Sequence, residues 1–158
     1  RIPVIAAGGI YTGADIARYL ALGASGVQMG TRFVATHECD ASDNFKQTHL
    51  NAIEDDIVLI DSPVGLPGRA IKNEFLSDVD EGLKTPKSCP WKCLRTCDYK
   101  TSPYCIALAL VNAQKGRMHQ GFAFAGSNAY RSDKIVHVSE LISELKEEYF
   151  QAVLPSNH

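Results

Sequence analysis

Two short apolar runs, each closed by glycine and separated by one helix-length segment, constrain this chain more than any other feature. They are Pro3-Val4-Ile5-Ala6-Ala7-Gly8-Gly9-Ile10 and Gly26-Val27-Gln28-Met29-Gly30-Thr31-Arg32-Phe33. Val4-Ile5-Ala6 shows no apolar–polar alternation, the pattern of a strand buried on both faces of a parallel sheet. Thr12-Gly13-Ala14-Asp15 has the spacing of a capping box and opens a helix. Ile16, Leu20 and the alanines between them give that helix an apolar face, and Gly23 is placed to stop it. Val27-Gln28-Met29 then reads as a second strand. Strand, helix and strand in this order form a βαβ unit, whose two strands run parallel.

Parallel strands bring their carboxyl ends to one side of a sheet. Gly8-Gly9 follows the first strand and Gly30-Thr31 follows the second. Glycine lacks a Cβ, so the backbone N–H groups of such loops approach a ligand closely. Two loops of this kind, with a helix N-terminus behind them, make an anion site. In an eight-stranded α/β barrel, the loops after the last two strands are a frequent phosphate site. A single Gly pair would read more readily as a tight turn, and Gly30 as a packing glycine; the pairing of two loops reverses the preference in favour of the anion. The spacing is not the dinucleotide fingerprint, because Gly8-Gly9-Ile10-Tyr11-Thr12-Gly13 lacks the G-x-G start.

These segments, with Ala21-Leu22-Gly23-Ala24 between them, resemble the nitronate monooxygenase family, once called 2-nitropropane dioxygenases. The resemblance is strong over residues 1–40 and looser to about residue 145. It implies an α/β fold, the C-terminal fragment of a TIM (β/α)8 barrel that binds FMN. Residues 1–56 would be the last two βα units, strands 7 and 8, and residues 57–154 a mostly helical C-terminal extension. Gly9 and the run Gln28-Met29-Gly30-Thr31 match the family's cofactor-binding positions. With the adjoining Gly8, these six residues are the expected FMN site. The implied activity is oxidation of alkyl nitronates with dioxygen, in which flavin carries the electron transfer and the protein supplies position and a base.

The family's catalytic histidine has no counterpart here. None of His37, His49, His119, His137 or His158 sits in a matching motif, so no catalytic residue is carried over. The base is expected upstream of residue 1. The chain starts directly on a buried-type strand with no methionine, so we expect a C-terminal fragment of a longer polypeptide. The remainder of the barrel, or self-association, would then cover that strand. Three other functions fit parts of the pattern. A flavin-dependent enoyl-acyl-carrier-protein reductase shares the phosphate loops but uses a reduced nicotinamide and an acyl thioester. An inosine-monophosphate-dehydrogenase-type barrel holds a nucleotide phosphate on paired Gly loops, although its strand-eight loop usually differs and its catalytic cysteine would lie upstream. The last is a cysteine-rich metal module without catalysis.

Composition narrows the classes further. A chain of 158 residues with 45% hydrophobic and 22% charged residues is sized and composed as one ordinary globular domain. A net charge of −2 gives no reason to expect nucleic acid as a partner. No apolar run approaches the ~18 residues of a membrane span. Five cysteines without a secretory signal point to a reducing compartment, hence the cytoplasm.

Downstream, Asp40-Ala41-Ser42-Asp43 offers a cap for a helix with Phe45, His49, Ala52 and Ile53 on one face. His49 then reads as a core-edge histidine before a ligand. Thr36-His37-Glu38-Cys39 holds three ligand types, but four consecutive residues do not converge on one metal. Glu54-Asp55-Asp56 reads as a solvated helix end, and Ile57-Val58-Leu59-Ile60 as a strand or extended segment. Pro63-Val64-Gly65-Leu66-Pro67-Gly68 is a loop. Arg69 either pairs with an anion or forms a surface salt bridge. Residues 77–103 are polar and proline-containing and read as a lid or inserted excursion. Residues 104–113 read as a mostly buried helix stopped by Gly116. Gly121-Phe122-Ala123-Phe124-Ala125-Gly126-Ser127-Asn128 resembles the family's late Ala-Gly segment beside the flavin. Ser139 is placed to cap a final helix with Leu141, Ile142, Leu145 and Tyr149 inward, and residues 155–158 are expected to fray.

Cys89, Cys93 and Cys97 fall at i, i+4 and i+8, and Cys105 follows. On a helix the first three would share a face. Thiolates there could hold zinc or an iron–sulfur cluster, although the spacings differ from the common C-x2-C pairs. Redox pairing is another use. The reading we favour from sequence is a set of buried small hydrophobes, with no metal.

Overall fold

A computed structural model describes residues 2–95 and 97–154; the expected frayed tail at 155–158 lies outside them. Strand β1 (Ile5–Ala7) and strand β2 (Gly26–Gln28) pair in parallel, with Ile5 opposite Gly26 and Ala7 opposite Gln28. Helix α1 (Gly13–Ala21) crosses between them. The capping box is made as the sequence predicts. Thr12 Oγ1 accepts from the Asp15 N–H at 3.1 Å, and Asp15 Oδ2 accepts from the Thr12 N–H at 3.0 Å. At the other end Gly23 takes φ +98°, the Ala24 N–H reaches the Tyr19 carbonyl and the Gly23 N–H the Leu20 carbonyl. That is the Schellman closure, which needs a left-handed residue after the cap.

β1 departs from expectation in its burial. Val4 is 65% and Ile5 54% exposed. Among the described residues β1 pairs with β2 alone, so its second edge and much of its apolar surface have no cover.

Helix α2 (Asp43–Leu50) starts at Ser42, whose Oγ accepts from the Phe45 N–H. His49 goes deeper than the core edge, at 1% exposure, whereas Ile53 points outward. Glu54–Asp56 begins a short 3-10 turn instead of ending a helix: α2 has already stopped, and Asp56 Oδ2 accepts from the Ile53 N–H. Acids suit that N-terminal place, where the helix dipole is positive.

Strand β3 (Ile57–Ile60) pairs antiparallel with β4 (Gly68–Ile71), a strand the sequence reading did not separate from the loop. The segment around Phe124 then runs along β4, with the Ile71 N–H on the Ala123 carbonyl and the Ala125 N–H on the Arg69 carbonyl. Gly68 is required there, because a Cβ would overlap the Phe124 ring. Helix α3 (Glu74–Asp80), capped by Asn73, takes up the start of the expected excursion. Helix α4 (Ile106–Gln114) buries one side only: Ala109 and Ala113 are inside, while Leu108 and Leu110 are exposed. The aromatic centre of this half is Phe75, Tyr104 and Phe122, with ring centroids 5.6–6.1 Å apart.

Helix α5 (Val138–Val153) is capped by His137, not Ser139. Glu38 fixes that start by accepting from the Val138 N–H at 3.0 Å and contacting His137 Nδ1 at 3.2 Å. The hydrogen bond from Val138 holds the Glu38 carboxyl below its ordinary pKa. Leu141 and Leu145 face inward with Ile16, Met29 and Phe33, whereas Ile142 stays partly exposed. α5 lies so close to α1 that a Cβ on Gly13 would overlap the Leu145 carbonyl oxygen. The Gly13 N–H meets Glu148 Oε2 at 2.6 Å. No helix among the described residues is long and apolar enough to cross a membrane.

Candidate functional site

The register of β1 and β2 starts their two following loops side by side. Gly8 and Gly9 take φ +88° and +69°, the left-handed region that side chains disfavour. A Cβ at Gly8 or at Gly30 would meet nothing within 4 Å, so both face open space. All six residues singled out in the sequence, Gly8, Gly9, Gln28, Met29, Gly30 and Thr31, line one cavity of about 50 Å³.

Five further residues complete that cavity: Ile10, Tyr11, Arg32, Gly126 and Asn128. Asn128 Nδ2 donates to the Gly9 carbonyl at 2.8 Å. The Gly126 N–H donates to Thr31 Oγ1 at 2.8 Å, which leaves the threonine proton available as a donor. The late Gly126-Ser127-Asn128 segment therefore clamps both glycine loops. The sequence marked this stretch as small and glycine-punctuated, but nothing local marked Asn128 as a partner of Gly9.

Positive charge stands behind the loops. The guanidinium carbons of Arg32 and Arg131 lie 4.5 Å from the centroid of the Tyr11 ring. Arg32 also meets Glu144 at 2.9 Å, yet its buried Nε has no hydrogen-bond partner among the described residues. Asp15 is held below the usual carboxylate range. Burial is the largest influence and opposes this, but hydrogen bonds from Thr12 and Tyr11, helped by Arg131, outweigh it.

Neither His37, His49, His119 nor His137 lines the cavity. The His37 and His137 rings lie 4.5 Å apart, tilted by 36°, beside the start of α5. His49 is enclosed, with Nδ1 3.1 Å from the Phe45 carbonyl; burial lowers its pKa, against the effect of that hydrogen bond. Arg69 is exposed and makes no ion pair among the described residues. The cysteine run forms no helix, so the shared helical face does not exist: Pro86 and Pro90 remove N–H donors, and Lys92 takes φ +43°. Nor are these cysteines simply buried small hydrophobes. Cys93 is exposed and Cys89, Cys97 and Cys105 are half-buried.

Paired glycine loops at the carboxyl ends of a parallel strand pair, lining one small cavity with a hydroxyl beside them, mark this chain as an α/β protein. The family model for nitronate monooxygenase matches residues 1–148, and the chain belongs to that family. It is 42% identical over 81 residues to a probable nitronate monooxygenase of Staphylococcus saprophyticus, an alignment covering 51% of this chain and 23% of the relative. It is 40% identical over 83 residues to (3aS,4S,5R,7aS)-5-hydroxy-7a-methyl-1-oxo-octahydro-1H-indene-4-carboxyl-CoA dehydrogenase of Mycobacterium tuberculosis, covering 52% of this chain and 23% of that one. Among solved structures, FabK of Thermotoga maritima superposes with a TM-score of 0.77 at 30% identity, over 97% of this chain and 46% of that one. Nitroalkane oxidase of Streptomyces ansochromogenes superposes with a TM-score of 0.69 at 30% identity, over 96% of this chain and 40% of that one. The chain thus spans less than half the length of these solved relatives, and its alignments cover less than a quarter of the curated ones.

Proposed function

We propose that the glycine cavity holds the phosphate of FMN, and that β1 and β2 are the last two strands of an eight-stranded barrel that oxidises alkyl nitronates with dioxygen. In this reading residues 1–56 are the closing βα units and residues 57–154 an extension. The observation that carries it is the convergence of Gly8, Gly9, Gln28, Met29, Gly30 and Thr31 on one cavity at the carboxyl end of a parallel pair. The residues fit the group. Open space above Gly8 and Gly30 leaves backbone N–H groups accessible, Thr31 keeps a proton to donate, and Arg32 and Arg131 offset negative charge. Charge-assisted hydrogen bonds of this kind contribute roughly 1.5–3 kcal/mol each.

Bound FMN would supply the electron transfer; this chain's residues hold and orient it. Asn128 fixes the Gly9 peptide and Gly126 fixes the Thr31 hydroxyl, so the donors are set before the anion arrives. No residue here is assigned as the base, which we place, with the rest of the barrel, upstream of residue 1. The exposed apolar surface of Val4 and Ile5 is where those strands would pack. A cytoplasmic enzyme fits this reading.

A second substrate class has one observation in its favour: the carboxyl-CoA named for the Mycobacterium tuberculosis relative is an acyl thioester. Assays of the full-length enzyme with an alkyl nitronate and with an acyl thioester plus reduced nicotinamide separate the two. The cradle itself is tested by flavin content. Gly9→Val puts a branched side chain at φ +69° and should leave the full-length protein colourless. Thr31→Val removes one donor at nearly constant shape and should lose FMN on dialysis. Loss of two charge-assisted bonds weakens binding on the order of 100-fold or more. Full flavin occupancy in Gly9→Val would overturn the phosphate assignment.

A further inference from the structure

Arg32 stands apart from the other residues around the glycine cavity. Its side chain lines that cavity, is only 10% exposed, and has a buried Nε with no hydrogen-bond partner among the described residues. An arginine is almost never buried to this degree unless it is paired. Part of the pairing is present: Arg32 Nη2 donates to Glu144 Oε1 of α5 at 2.9 Å. Glu144 is 44% exposed, so solvent screens its charge, and it takes one fork of the guanidinium while Nε is left over. Buried polar groups without partners are rare, and each calls for an explanation such as a bound ion or water.

The surroundings hold this group in place. Arg32 sits in the 3-10 turn Thr31–Phe33, directly after Gly30. Phe33, the next residue, packs with Leu141 and Leu145 of α5. The guanidinium carbon lies 4.5 Å from the centroid of the Tyr11 ring. Tyr11 is itself 7% exposed, and its hydroxyl is 3.4 Å from Ser132 Oγ. Glu144 and Glu148 lie four residues apart on α5 and share a face. Glu148 accepts from the Gly13 N–H, at the start of the helix that follows the other glycine loop. α5 thereby fastens the elements behind both loops. Arg131 lies over the same Tyr11 ring, but it is exposed and does not line the cavity.

The cavity, at about 50 Å³, is far smaller than the roughly 300–1,000 Å³ of pockets that enclose a whole small molecule, so it suits one end-group. A guanidinium recognises a phosphate through directed N–H donors, where a lysine acts as a point charge.

We infer that Arg32 is a phosphate-recognition residue of this site: its Nε–H donates to the phosphate monoester of the cofactor, and Glu144 positions the guanidinium for that bond. This rests on the FMN reading of the cavity and adds the residue that separates phosphorylated from unphosphorylated flavin. Glu144 is a positioning residue, because it acts through Arg32.

Affinities of flavin-free full-length protein for FMN and for riboflavin, which lacks the phosphate, test this. The wild type should prefer FMN by about 100-fold or more. Arg32→Met should weaken FMN binding about 10- to 100-fold and leave riboflavin binding within about twofold. Equal weakening of both flavins would reveal a merely structural arginine and overturn the assignment. Arg32→Lys keeps the charge but lacks the Nε–H, so it should recover only part of the FMN affinity. Full recovery would overturn the directed bond. Glu144→Ala and Glu144→Gln both remove a charge, but only glutamine keeps an acceptor for Nη2. Glu144→Ala should bind FMN about 3- to 10-fold more weakly than Glu144→Gln, with riboflavin unaffected. Equal affinities of the two would overturn the positioning role. The underlying reading fails separately: a wild type that binds riboflavin as tightly as FMN has no phosphate site in the cavity. A wild-type preference that persists in full in Arg32→Met keeps the phosphate there and overturns Arg32 alone. Should Arg32→Met fail to fold, Arg32→Lys decides, and an undiminished FMN preference in it overturns the assignment.

Discussion

Residues 5–50 and residues 81–105 are built on different principles. In the first, almost every change of direction has a local cause: the Thr12–Asp15 box, the left-handed Gly23 and the Ser42 cap. Its helices then pack so closely that α5 tolerates only glycine at position 13. In the second, prolines and a left-handed Lys92 break the backbone, and what gathers the residues is a set of side chains around one small cavity. The contrast teaches where a substitution should matter. Backbone fit governs the first region; the chemistry of its side chains governs the second.

The sharpest way to break that contrast is a pair of glycine substitutions. Gly13→Ala drives a methyl group into the Leu145 carbonyl and the Tyr149 amide of α5, backbone atoms that cannot turn aside. We expect a loss of about 3 kcal/mol or more in denaturant unfolding. Gly82→Ala, at the start of the irregular segment, meets nothing within 4 Å and carries only the strain of φ +73°. That should cost about 1–2 kcal/mol. Equal losses at the two positions would erase the distinction.

Histidine protonation probes the first region without a backbone change. His49 has a depressed pKa in the folded chain, so the unfolded chain binds its proton first on acidification. Its contribution is present above about pH 6.5 and is lost as pH falls from there through the depressed folded value. Stability measured against pH should decline there by at most ~1.4 kcal/mol per pH unit from this one group, and His49→Gln should flatten that limb. An unchanged slope in the variant would assign the acid sensitivity elsewhere.

The smallest expected effect lies in the second region. Tyr104→Phe removes a buried hydroxyl that has no partner among the described residues, so stability should hold or rise by up to about 1 kcal/mol. The wild type should also weaken between pH 10 and about 12, where the unfolded tyrosine ionises and the folded one does not. The variant should lack that decline. A marked destabilisation of Tyr104→Phe would mean that the hydroxyl already has a partner.

What the sequence determined by itself was local. Caps, the helix stops at Gly23 and Gly116, and the parallel βαβ order follow from residues within a few positions of each other. That Gly8, Gly9, Gln28, Met29, Gly30 and Thr31 lie together was legible for the same reason: they sit at the ends of two strands that one helix connects. Tertiary structure alone decided the rest. Asn128 reaches Gly9 across 119 positions and Gly126 reaches Thr31 across 95, and no local pattern encodes such pairs. The same holds for β4, recognisable only once β3 and the Phe124 segment lie beside it, and for the α5 cap, moved from Ser139 to His137 by Glu38. Cysteine spacing suggested a helical face; two prolines and the packing around Tyr104 instead set the thiols around a cavity. Local signals act through hydrogen bonds and dihedral preferences over a turn or two, whereas these contacts depend on which surfaces the folded chain brings together.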